Sequence, residues 1–197
     1  MSDENPFAVA PPLREGDPEP IPTGVFVVSL VAAILGSLGL LGSCFAVVSL
    51  LASEQFMAFM PPKAQEAAKE AIAFQFIPSV IQTVLGLLLS TSLIVAAIGC
   101  FTRKRWGQSL MRLTMVGCVF SSLLAIGFQV WMIMFHAKTM AKLNEAQGMS
   151  ADQALQMFYV GQIFVFLWVA VLMGFYLFSV VYLGKQHVTD FFQRQPR

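Results

Sequence analysis

Charged residues are scarce in this sequence and are missing from four long segments. Only 12% of its 197 residues are Asp, Glu, Lys or Arg, whereas soluble domains carry roughly 25%. The uncharged segments are residues 20–53, 71–102, 113–137 and 153–184. Each is longer than the roughly 20 residues that an α-helix needs to cross a bilayer. They leave no room for a separate soluble domain and predict a four-span membrane protein.

Residues that usually carry catalysis, ion coupling or metal binding are also missing from these segments. None of the apolar cores contains Asp, Glu or Lys, which proton relays and ion-coupled transporters usually keep there. The two histidines, His136 and His187, lie at opposite ends of spans, and no HExxH, GxSxG or Walker motif occurs. We therefore predict that the protein is not an enzyme and has no catalytic, cofactor-binding or metal-binding residues.

The cysteines and the net charge exclude two further classes of protein. Cys44, Cys100 and Cys118 all fall within spans without CxxC spacing, so neither a zinc site nor a disulfide framework is indicated. The formal net charge is +1, which gives no basis for a nucleic-acid partner. The predicted partners are the lipid bilayer and, beyond it, other membrane proteins or a second copy of the chain.

Proline and polar residues divide the chain into a tail, a bundle and a second tail. Residues 1–22 hold six prolines and five acids against one arginine, a composition that predicts a disordered tail. The bundle covers residues 23–185, and residues 186–197 form a polar C-terminal tail in which two phenylalanines are placed on the membrane surface. Within the bundle we predict spans at about 25–52, 77–101, 109–135 and 157–183.

Three local patterns predict the connections between the helices. Pro61-Pro62 interrupts the first helix and suits the start of the second. The basic run of residues 103–105 ends the second helix, and Gly148 ends the third. A capping box from Ser150 to Gln153 starts the fourth helix. At the first and third connections the helices continue in polar form, which would raise the bundle by ~15–20 Å above the bilayer.

The distribution of lysine and arginine predicts the orientation. Eight of these residues lie on the side of both termini and the 102–107 turn, and four lie on the other side. By the positive-inside rule both termini are cytoplasmic. The predicted fold is an all-α, four-helix transmembrane bundle of two helical hairpins with extracytoplasmic helical extensions.

Small residues recur along one face of the first helix at steps of three and four. Between helices in lipid, where the hydrophobic effect is weak, such residues allow backbones to approach closely. We predict that this seam packs against the other three spans. Its members are Ser29, Ala32, Gly36, Gly39, Ser43 and Ala46.

Three glutamines stand within otherwise apolar segments. Gln82, Gln129 and Gln162 each lie five or six residues inside the outer end of a predicted span, so we expect one polar layer facing the bundle interior. In one interpretation this layer is a vestibule that binds a small ligand or ion. In the other, the amides form interhelical hydrogen bonds that fix rotation and register.

Methionines cluster near the predicted outer end, around His136. Thioether and imidazole groups are ligands for copper(I), but methionine is also a common filler of irregular packing. We interpret the group as packing, because Met132 and Met134 are two apart and do not share a helix face. The group comprises Met57, Met60, Met132, Met134, Met140, Met149 and Met157.

Residues 101–107 (FTRKRWG) resemble a pattern in small bacterial multi-pass membrane proteins without assigned function. In these proteins an apolar span ends in a basic pair, followed by an aromatic residue, a small residue and the next span. The amino end, Asn5-Pro6-Phe7 with Pro11-Pro12 after it, is similar to short tails that precede spans in some of them. The resemblance implies a bacterial cytoplasmic membrane and transfers no activity or site residue.

Two functions are compatible with this sequence. The first is a non-catalytic accessory, scaffold or interaction component of the membrane. The second is a small transporter, channel or ligand-binding protein that uses the glutamine layer. A water-accessible cavity reaching Gln82 and Gln129 would favour the second, and a filled bundle would favour the first.

Overall fold

The computed structural model describes residues 20–58, 62–145 and 150–194, so most of the predicted N-terminal tail lies outside the described residues. Within these ranges the chain forms five α-helices and no strand. The helices are α1 (Thr23–Ala58), α2 (Pro62–Phe101), α3 (Arg105–Glu145), α4 (Ala151–Leu183) and α5 (Gln186–Gln193).

The first four helices are each long and apolar enough to cross a membrane. Their apolar parts are Thr23–Ala52, Ile72–Phe101, Arg105–Met134 and Leu155–Leu183. The chain is therefore an all-α, multi-pass integral membrane protein with a four-helix bundle, as predicted. The second span begins five residues before the predicted position, because residues 72–76 (IAFQF) are apolar apart from one glutamine.

The four long helices pack in chain order. Helix α1 lies along α2, α2 along α3, and α3 along α4, whereas α1 and α4 meet over only a short stretch. In that stretch Gly24 at the start of α1 contacts the Tyr182 ring near the end of α4. Further along the bundle these two outer helices are not packed together, and the ring of helices stays open on one side.

Contacts at several levels fix the antiparallel register of α2 and α3. At one end Gly99 lies against Gly107. Farther along, Leu89 lies against Gly117, and the Gln75 amide donates to the Met132 sulfur at 3.5 Å. The α3–α4 pair has its own register, in which Gln108 donates to the Leu183 carbonyl at 2.8 Å.

The connections at three helix ends follow the local chemistry of the sequence. Helix α2 begins at Pro62, as predicted. It ends in a Schellman motif, in which the Lys104 amide donates to the Gly99 carbonyl and the Arg103 amide to the Cys100 carbonyl. Arg103 occupies the left-handed position with φ 58°. Helix α4 begins with the predicted capping box between Ser150 and Gln153.

The C-terminal segment differs from the predicted polar tail. Residues Gln186–Gln193 form α5, which buries Val188, Phe191 and Phe192. The side chain of Arg105 at the start of α3 donates to the carbonyls of Phe192 and Gln193. The two phenylalanines therefore pack against the end of the bundle instead of lying on the membrane surface.

The buried core is concentrated at the same end of the bundle as α5. Fully buried side chains come from the first turns of α1 and α3 and the last turns of α2 and α4, as well as from α5 itself. They include Val25, Cys100, Met111, Met115, Leu183 and Phe192. The helices are therefore packed together mainly at this end, and α1 and α4 have few contacts with each other elsewhere.

Two helices are much longer than the membrane is thick. Helix α2 has 40 residues and α3 has 41, so at 1.5 Å per residue each is ~60 Å long, about twice the ~30 Å hydrocarbon core. The apolar part of α2 starts at Ile72 and that of α3 ends at Met134. Both helices therefore continue beyond the apolar region at the end opposite α5.

Candidate functional site

The small-residue seam of α1 lies against α2. A Cβ atom added to Gly36 would stand 2.9 Å from the Ser90 carbonyl oxygen, and one added to Gly86 would stand 2.7 Å from the Ser43 hydroxyl. Gly39 faces the Ser90 hydroxyl, and Ser29 and Ala32 are fully buried. The prediction placed this seam against three helices, whereas the contacts of its glycines are with α2.

Helix α2 supplies a complementary row of small residues that sequence analysis did not assign to packing. Gly86 and Ser90 recur at a step of four, and Ala97 and Cys100 at a step of three. This spacing is present in the sequence, but the sequence does not show which neighbouring helix these residues pack against.

The three predicted glutamines do not form one layer. In the α2–α3 register, Gln82 is level with residues near Leu124, midway between the Leu89–Gly117 and Gln75–Met132 contacts. Gln129 therefore lies about 7 Å nearer than Gln82 to the end of the bundle opposite α5, at 1.5 Å per residue. The predicted depth of Gln82 was counted from residue 77, the predicted start of the second span, but the apolar part of α2 begins at Ile72.

Gln129 and Gln162 lie at one level on neighbouring helices. Gln108 is level with Leu183, and the Cys118 and Tyr176 side chains are neighbours; the same antiparallel register places Gln129 beside Gln162. The amide oxygen of each is buried without a hydrogen-bond partner in the described residues. An unpaired amide in apolar surroundings costs about 1–3 kcal/mol, so these two oxygens call for a donor.

Gln82 borders a different space. It lines a cavity of about 320 Å³ between α1 and α2, together with Ser43, Ser79 and Thr83. The other residues lining this cavity also come from those two helices. The three predicted glutamines are therefore divided between the α1–α2 and the α3–α4 pairs.

The predicted methionine group is only partly visible. Met132 accepts a hydrogen bond from Gln75, while Met134 and Met157 are exposed on the apolar surface. His136 and the remaining methionines have side chains that lie outside the described residues. Within the part of the chain that the structure describes, no three His, Cys, Asp or Glu residues come together.

A space that all four long helices line lies in the gap between α1 and α4. It measures about 330 Å³. We call it the α1–α4 cleft. Its sides are Leu35 and Leu38 of α1 and Trp168 and Leu172 of α4, and its floor is formed by α2 and α3. The cleft opens sideways because α1 and α4 do not pack together at this level.

The floor of the α1–α4 cleft carries hydroxyl groups. Ser90 and Ser121 line it and make no hydrogen bond with any residue that the structure describes, although Ser90 is only 6% exposed. Serine and threonine in apolar helices often bond to the carbonyl four residues earlier. Ser122 on the same floor does so at 2.8 Å. The free hydroxyls of Ser90 and Ser121 can therefore bind a polar group within the cleft.

A search for related proteins adds no further assignment. No protein-family model, curated protein or solved structure matches this chain.

Proposed function

We propose that the protein is a non-catalytic accessory or interaction component of a bacterial cytoplasmic membrane. In this proposal the bundle anchors a rigid helical projection that contacts a partner membrane protein outside the bilayer. The observation that carries it is that α2, which includes Pro78, and α3 each continue as a helix beyond the apolar span. The bacterial membrane is supported by the resemblance of residues 101–107, and the orientation by the excess of arginine and lysine at the opposite end.

Contacts near the edge of the apolar region support a rigid projection. The rings of Phe74 on α2 and Trp131 on α3 pack edge-to-face, with their centroids 6.2 Å apart. The hydrogen bond between Gln75 and Met132, the residues that follow Phe74 and Trp131 in the chain, joins the same two helices. Because the two helices are held together where they leave the apolar region, the residues beyond it are presented at a defined position.

The composition of the α2 projection suits a protein surface. Residues 62–71 contain two lysines and two glutamates among four alanines, a mixture that favours a solvated helix. Lys69 is exposed. A partner with an alternating charge pattern would complement this helix, and a lipid acyl chain would not.

Site-specific crosslinking tests the proposal. A photoreactive amino acid at Lys69 should form an adduct with a partner in native membranes, whereas the same amino acid at exposed Lys104, at the opposite end, should not form that adduct. A charge reversal, Lys69→Glu, should reduce co-purification of the same partner, and Lys104→Glu should leave it unchanged. Adducts of equal yield at both positions, or at neither, would contradict the proposal.

A second candidate is a small transporter, channel or ligand-binding protein. The buried, unpartnered amide oxygens of Gln129 and Gln162 favour it, because they supply two acceptors at one level near the outer end. In proteoliposomes, solute or ion flux that Gln129→Leu abolishes and Ser37→Ala preserves would support this function. Ser37 is a suitable control because its hydroxyl already bonds to the Ala33 carbonyl.

A further inference from the structure

We propose that the α1–α4 cleft is a binding site for a lipid-soluble molecule that carries a hydroxyl or carbonyl group on an otherwise apolar body. This site is separate from the projection of α2 and α3, and it would operate from within the bilayer. The ligand would enter sideways, between α1 and α4, without passing through water.

The first support for this site is the unsatisfied hydroxyl of Ser90. This side chain is 6% exposed and lines the cleft, yet it makes no hydrogen bond with any described residue. On the same helix, the neighbouring Thr91 hydroxyl donates to the Leu87 carbonyl at 2.8 Å. Polar side chains within apolar helices normally find such a partner, so the Ser90 hydroxyl, which lines the cleft, is available to a polar group of a molecule bound there.

The second support is the depth of the polar floor. Ser90 lies about 5 Å, and Ser121 about 2 Å, from the middle of their spans at 1.5 Å per residue, taking the spans as Ile72–Phe101 and Arg105–Met134. Headgroups of phospholipids lie about 15 Å from the bilayer midplane. An ordinary phospholipid therefore brings only hydrocarbon to this level, and a hydroxyl or carbonyl must come from a molecule that dissolves in the membrane interior.

The third support is the division of the lining into apolar sides and a polar floor. Leu35 and Leu38 face Trp168 and Leu172 across the opening, which suits a flat or branched apolar body. Ser90 and Ser121 offer hydroxyls that both donate and accept. The cleft volume of about 330 Å³ is within the range of small-molecule sites, roughly 300–1,000 Å³.

Photolabelling with an alkylated benzophenone tests this inference. This probe is a lipophilic ketone, and its carbonyl is both the proposed hydrogen-bond acceptor and the photoreactive group. The full chain is reconstituted in phosphatidylcholine nanodiscs, irradiated with the probe and mapped by mass spectrometry. The yield of adducts should be higher at Leu38 and Trp168, on the sides of the cleft, than at Leu41 and Phe164, which face outward.

Two controls isolate the hydrogen bond from apolar partitioning. Diphenylmethanol should compete with the probe, whereas diphenylmethane, which lacks the hydroxyl, should compete weakly. Ser90→Ala should reduce labelling of the cleft about fivefold, the effect of one net hydrogen bond. Ser37→Ala should not, because its hydroxyl is already bonded on the lipid-facing side.

Three results would overturn the inference. They are adducts spread evenly over all apolar surfaces, equal competition by the two diphenyl compounds, and unchanged labelling in Ser90→Ala. If Ser90→Ala is not recovered folded, Ser121→Phe supplies the decisive variant, since its ring should fill the cleft and abolish selective labelling. Leu113→Phe, on the exposed side of the same helix, is its matched control, and equal labelling of these two variants would also contradict the site.

Discussion

The backbone of α1 lies close against that of α2 where Gly36 faces Ser90: a Cβ atom on Gly36 would lie 2.9 Å from the Ser90 carbonyl oxygen. The same added atom would lie 2.9 Å from Cγ1 of Ile94 and 3.1 Å from Cβ of Leu93. A backbone oxygen in a helix cannot move away without displacing the helix. Close packing of α1 on α2 therefore depends on the absence of a side chain at this position.

Gly36→Ala should destabilise the protein by about 1–3 kcal/mol, the usual cost of overpacking a filled interior. Gly42 is on the same helix and has no atom within 4 Å of an added Cβ. Gly42→Ala should therefore be neutral or stabilising by about 0.5–1 kcal/mol, because alanine favours the helix interior. Unfolding of both variants in the same detergent measures the difference. Equal stability of the two would show that α1 does not pack on α2 through Gly36.

Arg103→Gly should stabilise the connection between α2 and α3. Arg103 has φ 58°, a conformation that costs non-glycine residues about 1–2 kcal/mol. Part of that gain is offset because glycine is more flexible in the unfolded chain, so we expect a net stabilisation of about 1 kcal/mol. Arg103→Ala is the control, because it removes the same charge but keeps the unfavourable conformation. An equal gain in thermal stability for both variants would assign the effect to charge.

The spans and the start of α4 could be predicted because each depends on adjacent residues. A helix in lipid satisfies its own backbone groups, so an uncharged run such as residues 153–184 is sufficient to identify a span. The capping box likewise joins Ser150 to Gln153, three residues away. Neither prediction requires knowledge of which helices are neighbours.

The features that were missed depend on residues distant in the chain. The eight residues of α5 place Val188, Phe191 and Phe192 on one helix face. Whether that face meets lipid or the bundle depends on distant residues such as Arg105 at the start of α3, which donates to the Phe192 carbonyl. Similarly, Ser90 belongs to a cleft only because α1 and α4 fail to pack beside it. The depth of Gln82 was misplaced because the register of α2 against α3 is set by contacts such as Leu89 with Gly117.

Phe192→Ala should release α5 from the bundle. The ring is fully buried, and removing a buried phenylalanine costs about 3–5 kcal/mol, which an eight-residue helix cannot offset. Hydrogen exchange of residues 186–193 should therefore accelerate by more than about tenfold, a change that corresponds to ~1.4 kcal/mol. Exposed Gln193→Ala should leave exchange unchanged, since its carbonyl still accepts from Arg105. Unaltered exchange in Phe192→Ala would mean that α5 is held by other contacts.

Cysteine accessibility tests the proposed orientation. Gln153 and Gln193 are both exposed and lie at opposite ends of the bundle. In a background with Cys44→Ala, a membrane-impermeant maleimide should label Gln153→Cys in intact cells. It should label Gln193→Cys only after permeabilisation, because the excess of lysine and arginine retains that end in the cytoplasm. The reverse pattern would invert the topology and place the helical projection inside the cell.

Gln129 and Gln162 should be energetically coupled through a shared water molecule. A water has two O–H donors, which match the two buried amide oxygens that have no partner in the described residues. A double-mutant cycle of Gln129→Leu and Gln162→Leu, measured by unfolding in nanodiscs, should give a coupling of about 0.6–1.7 kcal/mol, as for polar pairs in membrane helices. The control cycle pairs Gln82→Leu with Gln162→Leu. Its coupling should be near zero, because Gln82 lies deeper and lines the cavity between α1 and α2. Equal coupling energies in both cycles would show that all three glutamines interact, as a single layer requires. Zero coupling in both cycles would show that Gln129 and Gln162 do not share a water molecule.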